Sequence, residues 1–193
     1  MVRDQILFRG MAESGITRAM EKIPRHLFVP PSVKDFAYED RPLPIGYGQT
    51  ISQPWMVASM TTLLEVSPGM KILEIGTGSG YQAAILAFLG ARVFSIERLK
   101  PLMEEAKKTL GSIAPDIQVL FGDGRKGYPI EAPFDRILIT AAAEKIPPPL
   151  FEQVKERAII LSPLRNTDGT ERLLVKRIDG ILQSDEWGEY CRF

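Results

Sequence analysis

Apolar and polar positions follow two rhythms along this chain, and the rhythm changes near Met70. Before it the spacing is helical. Ile6, Leu7, Met11 and Ala12 share one side of a helix predicted over 4–13, and a second short helix over 16–22 is stopped by Pro24. Met56, Val57, Met60, Leu63 and Leu64 form one face of a helix predicted over 53–65. Ser52 stands at its N-cap position and Pro54 in its first turn, where a missing N–H is no loss. Between these helices runs FVPPSVKDFAYEDRPLPIGYGQT, dense in Pro and Gly. Phe28, Phe36, Tyr38 and Tyr47 give it too much aromatic mass for a disordered segment, so an ordered loop is expected.

After Met70 short apolar runs alternate with helical ones. Strands are predicted over 71–75, 92–96, 117–121 and 136–140, with helices over 81–88 and 100–110. Strands separated by helices of about ten residues imply βαβ crossovers and a parallel sheet. Three further runs, 158–162, 172–177 and 181–187, are joined by the turn-like links NTDGT and DG, which predicts an antiparallel hairpin at the sheet edge. The expected fold class is therefore α/β, a Rossmann-like doubly wound and mostly parallel sheet with an N-terminal helical and loop extension. The whole chain, 1–193, is expected to be one domain, with 1–69 as the extension and 70–193 as the core.

Composition narrows the chemistry. Lys plus Arg and Asp plus Glu are both 24, so the chain lacks the basic field that nucleic acid or an anionic membrane would need. A single cysteine, Cys191, and a single histidine, His26, argue against a disulfide framework and against zinc or other metal sites. The first residues contain no apolar leader-like stretch, and no apolar run approaches the roughly eighteen residues of a membrane span. A cytoplasmic monomer without nucleic-acid or membrane partners is expected.

Candidate chemistry starts at the turn LEIGTGSG. Gly76, Gly78 and Gly80 follow a strand directly and open a helix, the setting in which backbone N–H groups meet a ligand. The same run would also serve as a tight turn without a ligand. Glu97, at the end of the second strand, could accept the two hydroxyls of a ribose. Asp123 and Gly124, in GDGR after the third strand, could read an adenine amino group or simply form a β-turn. Glu74, just before the turn, disfavours a diphosphate and suits a cationic ligand such as a sulfonium, unless it bonds to N–H groups of the loop.

The segments LEIGTGSGYQAAILA, SIER and GDGR, and above all IGYGQTISQPWMVA, resemble the protein-L-isoaspartate (D-aspartate) O-methyltransferase family, as does IPRHLFVP nearer the N-terminus. The glycine turn is common to class I S-adenosylmethionine-dependent methyltransferases, whereas GQTISQP is far more specific. The resemblance runs from about Gly10 to Thr140. It weakens after Phe151, where the family has a glycine pair and a valine–glycine turn, and the family continues past the position where this sequence ends in YCRF. That difference predicts a less completely closed cofactor pocket.

The resemblance implies S-adenosyl-L-methionine as cofactor and isoaspartyl-containing proteins as substrate. Ser52 matches the family's active-site serine, and Thr50 stands beside it as a second candidate for holding the substrate carboxylate. Gln49 and Ile51 match the adjoining contact loop, while Glu74, Gly76, Gly78, Ser79, Glu97, Arg98, Asp123 and Gly124 match the cofactor pocket. The implied reaction methylates the free α-carboxylate of an isoaspartyl or D-aspartyl residue, and the ester then cyclises to a succinimide that can reopen as normal aspartate.

That chemistry explains a loop without a base. A carboxylate with a pKa near 4 is already ionised at neutral pH and a sulfonium is already activated. Alignment and water exclusion remain, and hydroxyls at Thr50 and Ser52 suit that task, with Gly46 and Gly48 letting a substrate backbone approach. Ser52 would orient substrate rather than form a covalent intermediate, or would only cap the helix. Other possibilities are a methyltransferase of this fold with another acceptor, a nicotinamide-dependent oxidoreductase, and a cofactor-binding homologue without activity. His26 and Trp55 are expected in structural roles, Lys107 and Lys108 on a solvated helix face, and Cys191 without an activating neighbour.

Overall fold

The computed structural model describes residues 1–191; Arg192 and Phe193, the last two residues of YCRF, lie outside the described residues. The first helical segment is a single wide turn, Val2–Leu7, rather than a helix to Glu13. Gly10, at φ +92°, sends the chain out of helical space. A new helix, α1 (Gly15–Lys22), then starts behind Ser14, whose N–H donates to Thr17 Oγ1 at 2.9 Å. The segment read as loop contains two 3-10 turns, Arg25–Phe28 and Pro31–Phe36. It also contains a hairpin that the sequence reading missed, β1 (Leu43–Gly46) paired antiparallel with β2 (Gln49–Ile51).

The remaining elements follow the predicted alternation, with ends shifted by a few residues. They are α2 (Pro54–Leu63), β3 (Lys71–Ile75), α3 (Tyr81–Phe88), β4 (Arg92–Glu97), α4 (Lys100–Ile113), β5 (Gln118–Phe121) and β6 (Phe134–Ile139). Then come β7 (Val154–Arg165), β8 (Glu171–Asp179) and β9 (Leu182–Cys191). One seven-stranded sheet has the order β5-β4-β3-β6-β7-β8-β9. It is parallel from β5 to β7 and antiparallel from β7 to β9, so the predicted antiparallel edge is present and its three strands form a meander.

Side chains leave the central strands alternately to two apolar clusters. Ile72, Val93 and Leu138 face one cluster, while Leu73, Phe94 and Ile137 face the other. Fully burying one such side chain contributes roughly 1.5–3 kcal/mol. Val2, Ile6, Met20 and Phe28 belong to the first cluster, so the N-terminal extension packs onto the same core as the sheet. The chain leaves β3 towards β4 and β5, then returns to β6 on the other side of β3. This reversal leaves a crevice at the carboxyl ends of β3 and β6, the usual ligand position in a doubly wound sheet.

Candidate active site

The glycine turn closes that crevice. Gly76, Gly78 and Gly80 have φ of +100°, +52° and +87°, a region that penalises any side chain. A Cβ at Gly76 would collide with Thr140 Oγ1, and one at Gly124 with the Ile75 side chain. The Thr140 hydroxyl donates to the Gly76 carbonyl at 2.6 Å, tying the end of β6 to the turn. Glu97 braces it from the other side: Oε2 accepts the Gly78 N–H and Oε1 the Leu99 N–H, both at 2.9 Å. Each carboxylate oxygen retains a lone pair for a further donor. Asp123 accepts from the Arg125 guanidinium and from the Arg125 N–H, which pulls its carboxyl down to about 2.

The β1–β2 hairpin supplies the opposite wall. Its two-residue turn, Tyr47 and Gly48, has φ of +53° and +71°, the mirror-image turn that matches strand twist. A Cβ on Gly46 or on Gly48 would meet no atom within 4 Å beyond their chain neighbours. Ser52 does not cap α2. The N-cap residue is Gln53, and the Trp55 N–H is taken at 3.0 Å by Oδ1 of Asp40, itself paired with Arg9 at 2.7 Å. A carboxylate brought in from the preceding loop has displaced the local hydroxyl from that task. The side chains of Thr50 and Ser52 consequently make no hydrogen bond among the described residues.

Both walls face one cavity of about 610 Å³, within the ordinary range for small-molecule sites. Gln49, Thr50, Ile51 and Ser52 line one side, and Gly76, Gly78 and Ser79 the turn. Glu97, Arg98, Asp123 and Gly124 complete the strand-end side. Thr77, Tyr81, Gln82, Thr140 and Ala141 also line it and were missed by sequence reading. Thr140 and Ala141 carried a usable signal, since they follow a strand beside the switch point. No histidine, cysteine or lysine lines the cavity, and no group of three or more His, Cys, Asp or Glu side chains among the described residues could hold a metal ion.

Glu74 departs from expectation. It is absent from the cavity wall and fully buried, facing Ser95 on the neighbouring strand. The Ser95 hydroxyl hydrogen-bonds Glu74 Oε2 and lies 2.6 Å from Thr77 Oγ1. Burial pushes the carboxyl up to about 8, against the lowering effect of the Ser95 bond. Burial thus favours the neutral form of Glu74, which stands behind the turn and not on the cavity wall. It supports the turn from below, through Ser95 and Thr77, and not through loop N–H groups.

The other singled-out residues, His26 and Trp55, have partners within the fold. His26 Nδ1 lies 2.6 Å from the Tyr38 hydroxyl, and the Trp55 ring N–H donates to Glu189 Oε2 at 2.8 Å. Burial, with the Glu171 and Glu189 charges, pushes the Cys191 thiol up to about 12, which disfavours the nucleophilic thiolate. No helix among the described residues is long and apolar enough to cross a membrane.

Comparison with known proteins agrees with this geometry. The profile of a family described as protein-L-isoaspartate(D-aspartate) O-methyltransferase matches residues 2–192. A protein-L-isoaspartate O-methyltransferase of Methanoculleus marisnigri is 46% identical over 192 residues, 99% of this chain and 87% of its own length. A solved protein-L-isoaspartate O-methyltransferase superimposes with a TM-score of 0.89 at 26% identity, covering all of this chain, which spans 65% of that longer protein. A Plasmodium falciparum protein assigned to the same enzyme class, in complex with S-adenosyl-L-homocysteine, shares the fold with a TM-score of 0.83. Its identity is 22%, over all of this chain and 94% of its own.

Proposed function

This chain belongs to the protein-L-isoaspartate(D-aspartate) O-methyltransferase family, and from that premise we propose that it methylates the free α-carboxylate of L-isoaspartyl and D-aspartyl residues in damaged proteins, with S-adenosyl-L-methionine as donor. The observation that carries the proposal is the pair of uncommitted hydroxyls, Thr50 and Ser52, on the same cavity as the glycine turn. Isoaspartyl ester formation needs donors to orient a carboxylate, and no base. Bound S-adenosylmethionine supplies a methyl group already activated on sulfur.

The residues present fit that cofactor. Gly76 and Gly124 pack against Thr140 and Ile75 where any Cβ would collide, and both present bare backbone to the cavity. Glu97 is placed to accept ribose hydroxyls, and Asp123, kept ionised by Arg125, to accept an adenine amino group. Thr50 and Ser52 hold the substrate carboxylate with neutral donors, firmly enough to aim it but without the ground-state stabilisation of an ion pair. The open space at Gly46 and Gly48 admits the substrate backbone. We further propose that it works as a cytoplasmic monomer on free proteins; the equal counts of acidic and basic residues support only the part about partners, since they leave no basic field for nucleic acid or an anionic membrane.

Two measurements test this. Methyl transfer should appear with an isoaspartyl peptide and be absent with its normal aspartyl twin; equal transfer to both would assign a different acceptor. Asp123→Ala should weaken S-adenosylhomocysteine binding by about tenfold in calorimetry, the value of one charge-assisted hydrogen bond. Unchanged affinity would remove Asp123 from the pocket.

A further inference from the structure

Arg25 is completely buried, yet it forms no ion pair among the described residues. Burial lowers its guanidinium to about 10, so it stays charged at neutral pH. Burying a charge in this way costs several kcal/mol, and an apolar side chain of similar volume is often the more stable choice. Stability alone therefore does not account for it. Its hydrogen bonds do suggest a reason. Nε donates to the Ala37 carbonyl at 2.8 Å, and Nη2 donates to the Ser52 carbonyl at 2.7 Å. The guanidinium lies over the Tyr81 ring, 4.9 Å from its centroid. Tyr81 is the first residue of α3, directly after the glycine turn.

Arg25 thus joins the two halves of the cavity. One arm holds the backbone of the residue that aims the carboxylate. Its flat face rests on the helix that begins where the cofactor turn ends. We propose that Arg25 is a positioning residue that fixes the Thr50–Ser52 segment relative to the glycine turn, and so sets the separation of acceptor oxygen and methyl donor, a role that rests on the isoaspartyl activity proposed above. In-line transfer is sensitive to such spacing: a displacement of about 1 Å can cost about 10²-fold in rate. Lysine cannot take this role, because a single ammonium lacks the planar fork that reaches two carbonyls and stacks on a ring.

Arg25→Lys, Ser52→Ala and the double variant form the test. The lysine variant should lose about 10²-fold in kcat on an isoaspartyl peptide, with little change in affinity for S-adenosylhomocysteine. Amide hydrogen exchange over 49–52 should speed up in this variant while β3 and α3 stay protected. The double variant should be no slower than the slower single one, because both changes spoil the same alignment. Wild-type kcat and exchange in Arg25→Lys, or multiplicative losses in the double variant, would overturn the role. Should the lysine variant fail to fold, Arg25→Met fills the space without a charge and gives the same readouts. A wild-type protein inert towards the peptide would refute the proposed activity, and the exchange at 49–52 would then decide the clamp by itself.

Discussion

Replacing Ser52 with alanine should lower turnover on an isoaspartyl peptide by about 10²- to 10³-fold, the loss typical of one preorganised donor, and leave the melting temperature almost unchanged. The two halves of this expectation have separate physical causes. Turnover falls because the hydroxyl has no hydrogen-bond partner among the described residues and lines the cavity, free to meet the acceptor carboxylate. Stability holds because the hydroxyl caps nothing. Asp40 takes the Trp55 N–H, and Arg25 holds the Ser52 backbone carbonyl, which alanine retains. A surface-like change of this kind stays within about 0.5 kcal/mol, whereas loss of a true N-cap would cost about 1 kcal/mol. Thermal unfolding and steady-state rates on the same preparation separate the outcomes. A clear fall in melting temperature with normal turnover would make Ser52 a structural residue and end its candidacy.

What the sequence made legible follows from how local each cause is. A strand, a glycine run and a helix are contiguous, so Gly76, Gly78, Glu97 and Asp123 could be placed on one edge from their spacing to strand ends. Ser52 stands at the predicted N-cap position, but Asp40 takes the Trp55 N–H from a turn upstream, an approach that no local rule encodes. The β1–β2 hairpin escaped notice because its strands are short and Pro44 interrupts one of them. Thr140 meets Gly76 only once β6 lies beside β3. Arg25 is similar: a charged residue between proline and histidine reads as surface, and its burial follows from three segments folding over it. Glu74 looked like a ligand for a cation because an acidic residue beside a turn is normally exposed. Its strand, β3, lies inside the sheet and is covered on both faces, which reverses that inference.

Glu74→Gln should change the pH dependence of stability more than any other single substitution in the core. In the folded protein burial raises the carboxyl from its ordinary 4.5 to about 8. Between those values the unfolded chain has released its proton and the folded chain has kept it. Folding there takes up a proton, so wild-type stability declines as pH rises, by up to about 1.4 kcal/mol per pH unit from this group. Glutamine has no such proton. At about pH 4 the difference between variant and wild type reflects only the exchange of an acid for an amide beside Ser95. Towards pH 8 it should grow in favour of Glu74→Gln by on the order of a few kcal/mol, then level off once the folded carboxyl also ionises. Other titrating groups are common to both proteins and cancel in the difference, which denaturant unfolding at several pH values would give. Parallel stability curves would place an ionised carboxylate under the turn. The consequence for function runs through Ser95 and Thr77, which connect Glu74 to the glycine turn. Above about pH 8 an uncompensated charge beneath that turn should weaken S-adenosylhomocysteine binding in the wild type, and the glutamine variant should keep its affinity there.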